Sequence, residues 1–121
     1  MILLADDAEY FRTIVRDLVA ERGYGRLIET SLGKEALSLY CRNRFRIVLL
    51  DVVLPDVSGL HVLQAMKAMD PHSNIVVVTA AASREVVRAA KEAGAAGVLG
   101  KPVEVQRLSQ TIADALARRE R

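Results

Sequence analysis

Groups able to do chemistry stand directly after four short apolar runs. Asp6 and Asp7 follow Ile2-Leu3-Leu4-Ala5, and Asp51 follows Ile47-Val48-Leu49-Leu50. Thr79 closes Ile75-Val76-Val77-Val78, and Lys101 follows Val98-Leu99-Gly100. If these runs are parallel strands of one open sheet, side chains just past their carboxyl ends meet in one crevice. Three carboxylates, a hydroxyl and an ammonium gathered there suit a hard divalent cation and a phosphoryl group.

Each group also has a purely structural reading. An Asp at position 6 or 7 can cap a following helix and favour its dipole. One cap explains one carboxylate, however, and two adjacent carboxylates repel unless a cation lies between them. Asp51 abuts the most apolar run, where a carboxylate is costly unless it meets water, a donor or a metal. It reads either as a loop-entry residue or as a metal ligand and nucleophile able to form an aspartyl phosphate. Thr79 suits a strand because it is β-branched, while Ala80, Ala81 and Ala82 leave space beside its hydroxyl. Lys101 reads as a surface lysine or as a point charge for a phosphoryl oxygen. Pro102 holds the lysine backbone extended and makes a cis bond accessible.

The elements that must position these groups alternate. Phe11, Ile14, Val15, Leu18 and Val19 follow helical spacing, giving a helix from about Ala8 to Arg22 that Gly23 and Gly25 end. Arg26 to Thr30 reads as a shorter, more polar strand near an edge. A second helix spans about Gly33 to Asn43, and a third starts near Ser58 or Gly59 and stops before Pro71. Val86, Ala90 and Ala93 stripe a fourth helix, closed by Gly94. Val105, Leu108, Ile112 and Leu116 stripe a fifth. Strand and helix alternate five times, which predicts a parallel sheet covered by helices on both faces.

A chain of 121 residues fits one domain, 1–121. A net charge of +2 is too weak to point to nucleic acid, and the basic residues read as scattered. Arg42, Arg44 and Arg46, and the terminal Arg118, Arg119 and Arg121, read as solvated surface. Cys41 is the only cysteine, so no disulfide framework or CxxC pair is present. His61 and His72 lack ligand spacing. No 18-residue apolar stretch or leader is seen, so the expected location is the cytoplasm, with no membrane contact.

Taken together, several motifs resemble a bacterial response-regulator receiver domain of the chemotaxis-regulator type. These are the acid pair, Asp51 followed by Val-Val-Leu-Pro-Asp-Val-Ser-Gly, the Thr79-Ala80 pair, and Lys101-Pro102. The resemblance runs from Ile2 to about Leu116. It implies a flavodoxin-like doubly wound α/β fold: a five-stranded parallel sheet in order 2-1-3-4-5 with five helices. It also implies that Asp51 takes a phosphoryl group from a histidine kinase, a phosphotransfer protein or a small acyl phosphate. Asp7 and Asp51 would hold Mg²⁺ directly, Asp6 largely through water, and the Val53 carbonyl would complete the protein ligands. Thr79 and Lys101 would contact the new phosphoryl oxygens. Two such charge-assisted bonds give roughly 3–6 kcal/mol, against about 5.5 kcal/mol to move an equilibrium from 1:99 to 99:1.

The same resemblance implies a phosphoacceptor signalling domain rather than an enzyme, with self-phosphorylation and slow self-dephosphorylation. Its output face would be the fourth helix, fifth strand and fifth helix, read at Arg84, Val87, Arg88, Val98 and Arg107. Partners would be the kinase and a downstream effector domain or target protein, with a homodimer possible and no direct contact with nucleic acid. Three departures matter. Val98 stands where the family often has an aromatic residue or His that turns inward. Ser58 replaces a usual acid or amide. Val53 and Ala81 flank the site and cannot orient an attacking water.

Three other readings compete. A phosphohydrolase with an aspartyl nucleophile commonly has an acid where this chain has Val53. A flavodoxin-like cofactor protein needs phosphate-cradling donors where this chain has Asp6-Asp7-Ala8. A receiver-shaped interaction module that no longer uses phosphate would not need the intact acid pair, Asp51, Thr79 and Lys101.

Overall fold

Runs of four or five aliphatic residues with no polar member are stable as strands only when both faces are covered. Five strands form: β1 (Ile2–Ala5), β2 (Leu27–Thr30), β3 (Ile47–Leu50), β4 (Ile75–Thr79) and β5 (Gly97–Gly100). They alternate with α1 (Glu9–Arg22), α2 (Gly33–Arg42), α3 (Gly59–Met69), α4 (Arg84–Glu92) and α5 (Val105–Arg119). The structure is a computed structural model and describes residues 1–119. Arg121 and the side chain of Arg119, expected on the surface, lie outside the described residues.

The sheet is wholly parallel, in order β2-β1-β3-β4-β5, as the resemblance implied. β1, β3 and β4 occupy the middle and are buried along their whole length. Strand side chains alternate between faces, and this splits the core in two. Ile2, Leu4, Ile47, Leu49, Val76 and Val78 pack against Phe11, Val15 and Leu18 of α1 and Leu108 and Ile112 of α5. Leu3, Val48, Leu50, Ile75 and Val77 face Ala36 of α2, Val62, Leu63 and Met66 of α3 and Ala90 of α4.

The start of α1 bears on the acid pair. Neither Asp6 nor Asp7 caps α1. The cap position is Ala8, with no side-chain capping bond, so the acid pair is not explained by helix capping. β5 lies at the edge, as the order 2-1-3-4-5 implied, and despite its apolar run it is half exposed apart from Leu99. Gly23 closes α1 at φ +64° with its N–H donating to the Val19 carbonyl, and Gly94 follows α4 at φ +101°, both left-handed positions that favour glycine.

Candidate functional site

Register brings the carboxyl ends of the central strands level. Ala5 pairs with Leu50, and Leu50 with Val77, so Asp6 and Asp51 leave neighbouring strands at the same height. The Asp51 N–H donates to the Ala5 carbonyl at 3.0 Å, which ties the two segments directly. Thr79 pairs with Gly100 on the next ladder, and the Lys101 N–H donates to the Thr79 carbonyl at 2.9 Å. The Lys101-Pro102 bond is cis. All of the expected site residues therefore lie at one end of the sheet.

The side chains of four of them meet. Lys101 Nζ donates to Asp6 Oδ2 at 2.6 Å and to Asp51 Oδ2 at 3.1 Å. One carboxylate oxygen each from Asp6, Asp7 and Asp51 lies within 4.8 Å of the others. Asp6 and Asp51 are buried, whereas Asp7 is exposed at the mouth. Asp6 Oδ1 accepts from the Ala8 N–H, and Asp51 Oδ1 from the Val53 N–H at 3.1 Å. Thr79 stays apart from this group. Its Oγ1 accepts from the Ala81 N–H at 3.2 Å, and among the described residues no hydrogen bond joins it to Asp51.

Burial dominates the electrostatics. It raises the pKa of Asp6 above the ordinary carboxylate value, and the bond from Lys101, the Ala8 N–H and the lysine charge offset this only in part. Burial also opposes the charge on Lys101. The bonds and attraction from Asp6 and Asp51 together outweigh it, so the ammonium titrates above its ordinary range. Three carboxylates against one ammonium leave a formal charge of about −2 in a crevice made only of oxygen donors and one nitrogen. That matches a hard divalent cation in both charge and ligand type.

Two contributors escaped the sequence reading. Phe11 was read only as part of the α1 core stripe, yet its ring lies 4.6 Å from Lys101 Nζ and forms a floor under the ammonium. Asp56 was read only as part of the motif after Asp51. It is exposed, and it bonds the first turn of α2 with both carboxylate oxygens. Of the expected readout residues, Arg84, Val87 and Arg88 line a shallow cleft along α4. Val98 is half-buried against the α2–α4 side of the core. Arg107 instead lines a separate cleft with Arg22 and Tyr24.

Comparison with known proteins decides the family. The model for the response regulator receiver domain matches residues 2–113. The chain belongs to the response regulator receiver family. It is 34% identical over 113 residues to the polar-differentiation response regulator DivK of Brucella anthropi, covering 92% of this chain and 91% of that protein. It is 28% identical over 111 residues to the chemotaxis protein CheY of Thermotoga maritima, covering 92% of each. A receiver domain protein (CheY-like) of Methanospirillum hungatei has the same fold, with TM-score 0.93 and 26% identity over 98% of this chain and 94% of that one.

The chain is thus a receiver of the kind phosphorylated on an aspartate in two-component signalling, and a phosphorylation-independent module is not favoured. Receivers bind Mg²⁺ through acidic residues, and they interact with histidine kinases, phosphotransfer proteins and effectors or targets. Among the described residues no helix is long and apolar enough to cross a membrane.

Proposed function

We propose that Asp51 is the phosphoacceptor of this receiver, that Thr79 and Lys101 bind the incoming phosphoryl group, and that Asp6, Asp7, Asp51 and the Val53 carbonyl hold Mg²⁺. Residues 1–121 act as one receiver unit in this reading, in the cytoplasm. The observation that carries it is the lysine bridge between Asp6 and Asp51, with Asp7 at the mouth of the same crevice.

A carboxylate oxygen of Asp51 attacks phosphorus. The new O–P bond forms as the P–N bond of a phosphohistidine, or the acyl O–P bond of a small donor, breaks. The leaving imidazole or carboxylate keeps the electron pair. When bound, the metal ion supplies positive charge that lets two anionic groups approach. Lys101 already sits between the carboxylates and can turn one of its three protons toward a phosphoryl oxygen. The Thr79 hydroxyl accepts from Ala81 and keeps its own proton to donate. The buried ends of β1 and β3 hold the acid oxygens in place, so little reorganisation is needed.

Val53 is exposed and apolar, and Ala81 has no polar side chain, so neither directs water at the acyl phosphate. Hydrolysis is therefore slow in this reading. The signal leaves through the face of α4, β5 and α5, with the α4 cleft at Arg84, Val87 and Arg88 as the part a target protein contacts. A homodimer through that face is a second possible use of it.

Exposure to acetyl phosphate with Mg²⁺, followed by intact-mass spectrometry, tests the assignment. Wild type should gain one phosphoryl mass and lose it slowly, and Asp51→Asn should gain none. Labelling that persists in Asp51→Asn, or that is indifferent to Mg²⁺, refutes it.

A further inference from the structure

α2 begins without a cap of its own. Leu32 holds the cap position and makes no side-chain capping bond, so the first N–H groups of the helix need a partner from elsewhere. That partner is Asp56, more than twenty residues further along the chain. Asp56 Oδ1 accepts from the Gly33 N–H at 2.8 Å and Oδ2 from the Lys34 N–H at 2.9 Å. The contact is reinforced by packing. A Cβ on Gly33 would overlap Val57 and approach Val62 to 2.9 Å, so the loop lies directly on the helix start.

The far end of the same loop is also fixed. The Gly59 N–H donates to the Val52 carbonyl at 2.7 Å, and a Cβ on Gly59 would meet the Asp51 and Val52 backbone. Between the two anchors lie Val53, Leu54 and Pro55, which the Val53 N–H ties to Asp51. Val53 is the one proposed metal ligand supplied by a main-chain carbonyl. A carbonyl on a loop is a good ligand only if the loop is held, since ordering it costs about 1–2 kcal/mol per residue.

We propose that Asp56 is a positioning residue for the metal site: by capping α2 from the loop, it fixes the segment that presents Val53. This rests on the metal reading above. It makes α2 and the pocket thermodynamically linked, because whatever tightens one end of the loop tightens the other, and the linkage is reciprocal. Local sequence rules miss this role because the capping residue and the helix it caps are in different βα units.

The test uses direct metal binding rather than phosphorylation. Mn²⁺ affinity is measured by electron paramagnetic resonance of the free ion for wild type, Asp56→Ala and Asp56→Asn. Loss of this cap in Asp56→Ala should weaken Mn²⁺ binding about two- to thirtyfold, the range that the loss of a helix cap corresponds to. Asn keeps one acceptor and should fall between the two. In unmodified protein, adding Mg²⁺ should slow hydrogen exchange at the Gly33 and Lys34 amides, a readout that needs no variant to fold. Unchanged affinity in Asp56→Ala, or amides on α2 indifferent to Mg²⁺, overturns the positioning role alone. Failure of wild type to bind Mn²⁺ overturns it together with the metal reading, so the two failures are told apart.

Discussion

Replacing Lys101 with methionine removes the one positive charge in the acid cluster while keeping a flexible stem over Phe11. The lysine side chain is 5% exposed, and it touches Asp6, 1% exposed, and Asp51, 8% exposed. Taking one partner from a buried pair costs about 3–5 kcal/mol, because a charge is left uncompensated. Asp6 has an escape: it can take up a proton. Its pKa is already raised by burial, and the two contributions from Lys101 that hold it down disappear in the variant, so it rises further.

The sign of the pH dependence follows. A carboxyl group with a folded pKa above its unfolded value binds more protons when folded. Its penalty is absent below the unfolded value of 3.8 and grows as pH rises through the folded pKa. Lys101 stays charged throughout this window, because its own pKa is raised and its stabilisation is lost only in alkali. Urea unfolding followed by far-ultraviolet circular dichroism should therefore show a Lys101→Met deficit of about 3–5 kcal/mol near pH 7. Well below pH 3.8 the deficit should be under about 1 kcal/mol, since Asp6 is then protonated in both states. Saturating Mg²⁺ should recover more stability in the variant than in wild type, because a ligand that binds only the folded state stabilises it by mass action. A deficit that is flat with pH, or below about 1 kcal/mol near pH 7, refutes the argument that this ammonium neutralises the pocket.

Other outcomes are expected. Gly59→Ala places a Cβ against the Asp51 carbonyl and 2.5 Å from Val52 Cα. Backbone cannot yield as a side-chain tip can, so the cost should exceed about 3 kcal/mol in thermal or urea unfolding; a loss under 1 kcal/mol contradicts the close approach. Val53→Asn puts a polar group beside the acyl phosphate and should speed its hydrolysis about tenfold, less than the ~10²–10⁴ of a full general base; an unchanged decay of labelled protein counts against the slow-loss argument. Asp56 titrates below the ordinary carboxylate value, chiefly because the Lys34 N–H bonds it, with the Gly33 N–H adding to this. Its cap is thus present above that value and lost as pH falls through the depressed folded pKa. Protection of the Gly33 and Lys34 amides should then survive below the pH at which a free carboxylate protonates, and loss at or above that pH refutes the cap.

The centre of the sheet was legible because β1, β3 and β4 are unbroken aliphatic runs, a pattern that only two-sided burial explains. Asp6, Asp51, Thr79 and Lys101 were legible for the same reason: polar residues ending such runs must leave the core at one end. The edge place of β5 came from the resemblance and not from the residues, because Val98-Leu99 has core composition and edge position depends on chain connections that composition does not encode. The capping explanation for Asp6-Asp7 failed because a side chain after a strand is committed to the crevice before the cap position at Ala8 and the first helical residue, Glu9. Phe11 satisfied its helical stripe, and nothing in a stripe reveals that its ring lies under a lysine ninety positions away. The trans cap left a faint signal: a helix start at Leu32-Gly33 with no capping side chain of its own. Arg42 and Arg44 are exposed as expected, but Arg46 is half-buried, and its carbonyl accepts from Asn74.

The geometry also revises the energy available for switching. Counting Thr79 and Lys101 as two new contacts gives roughly 3–6 kcal/mol. Lys101, however, is already spending two bonds on carboxylates, one of them on Asp51 itself. On phosphorylation it would exchange the 3.1 Å bond to Asp51 for one to a phosphoryl oxygen, which is close to a neutral trade, while the shorter bond to Asp6 need not break. Only the Thr79 hydroxyl gains a partner it lacked. The net from these side chains is then about 1.5–3 kcal/mol, the worth of one charge-assisted bond, which shifts a two-state equilibrium about 10- to 150-fold. With Val98 in place of a large ring, no rotamer burial adds to it. Nuclear magnetic resonance shifts along α4 and β5 should accordingly report fast averaging between two conformers after phosphorylation rather than complete conversion. A shift beyond about 150-fold, in a protein where Thr79→Ala leaves it intact, would place the driving force outside these two side chains.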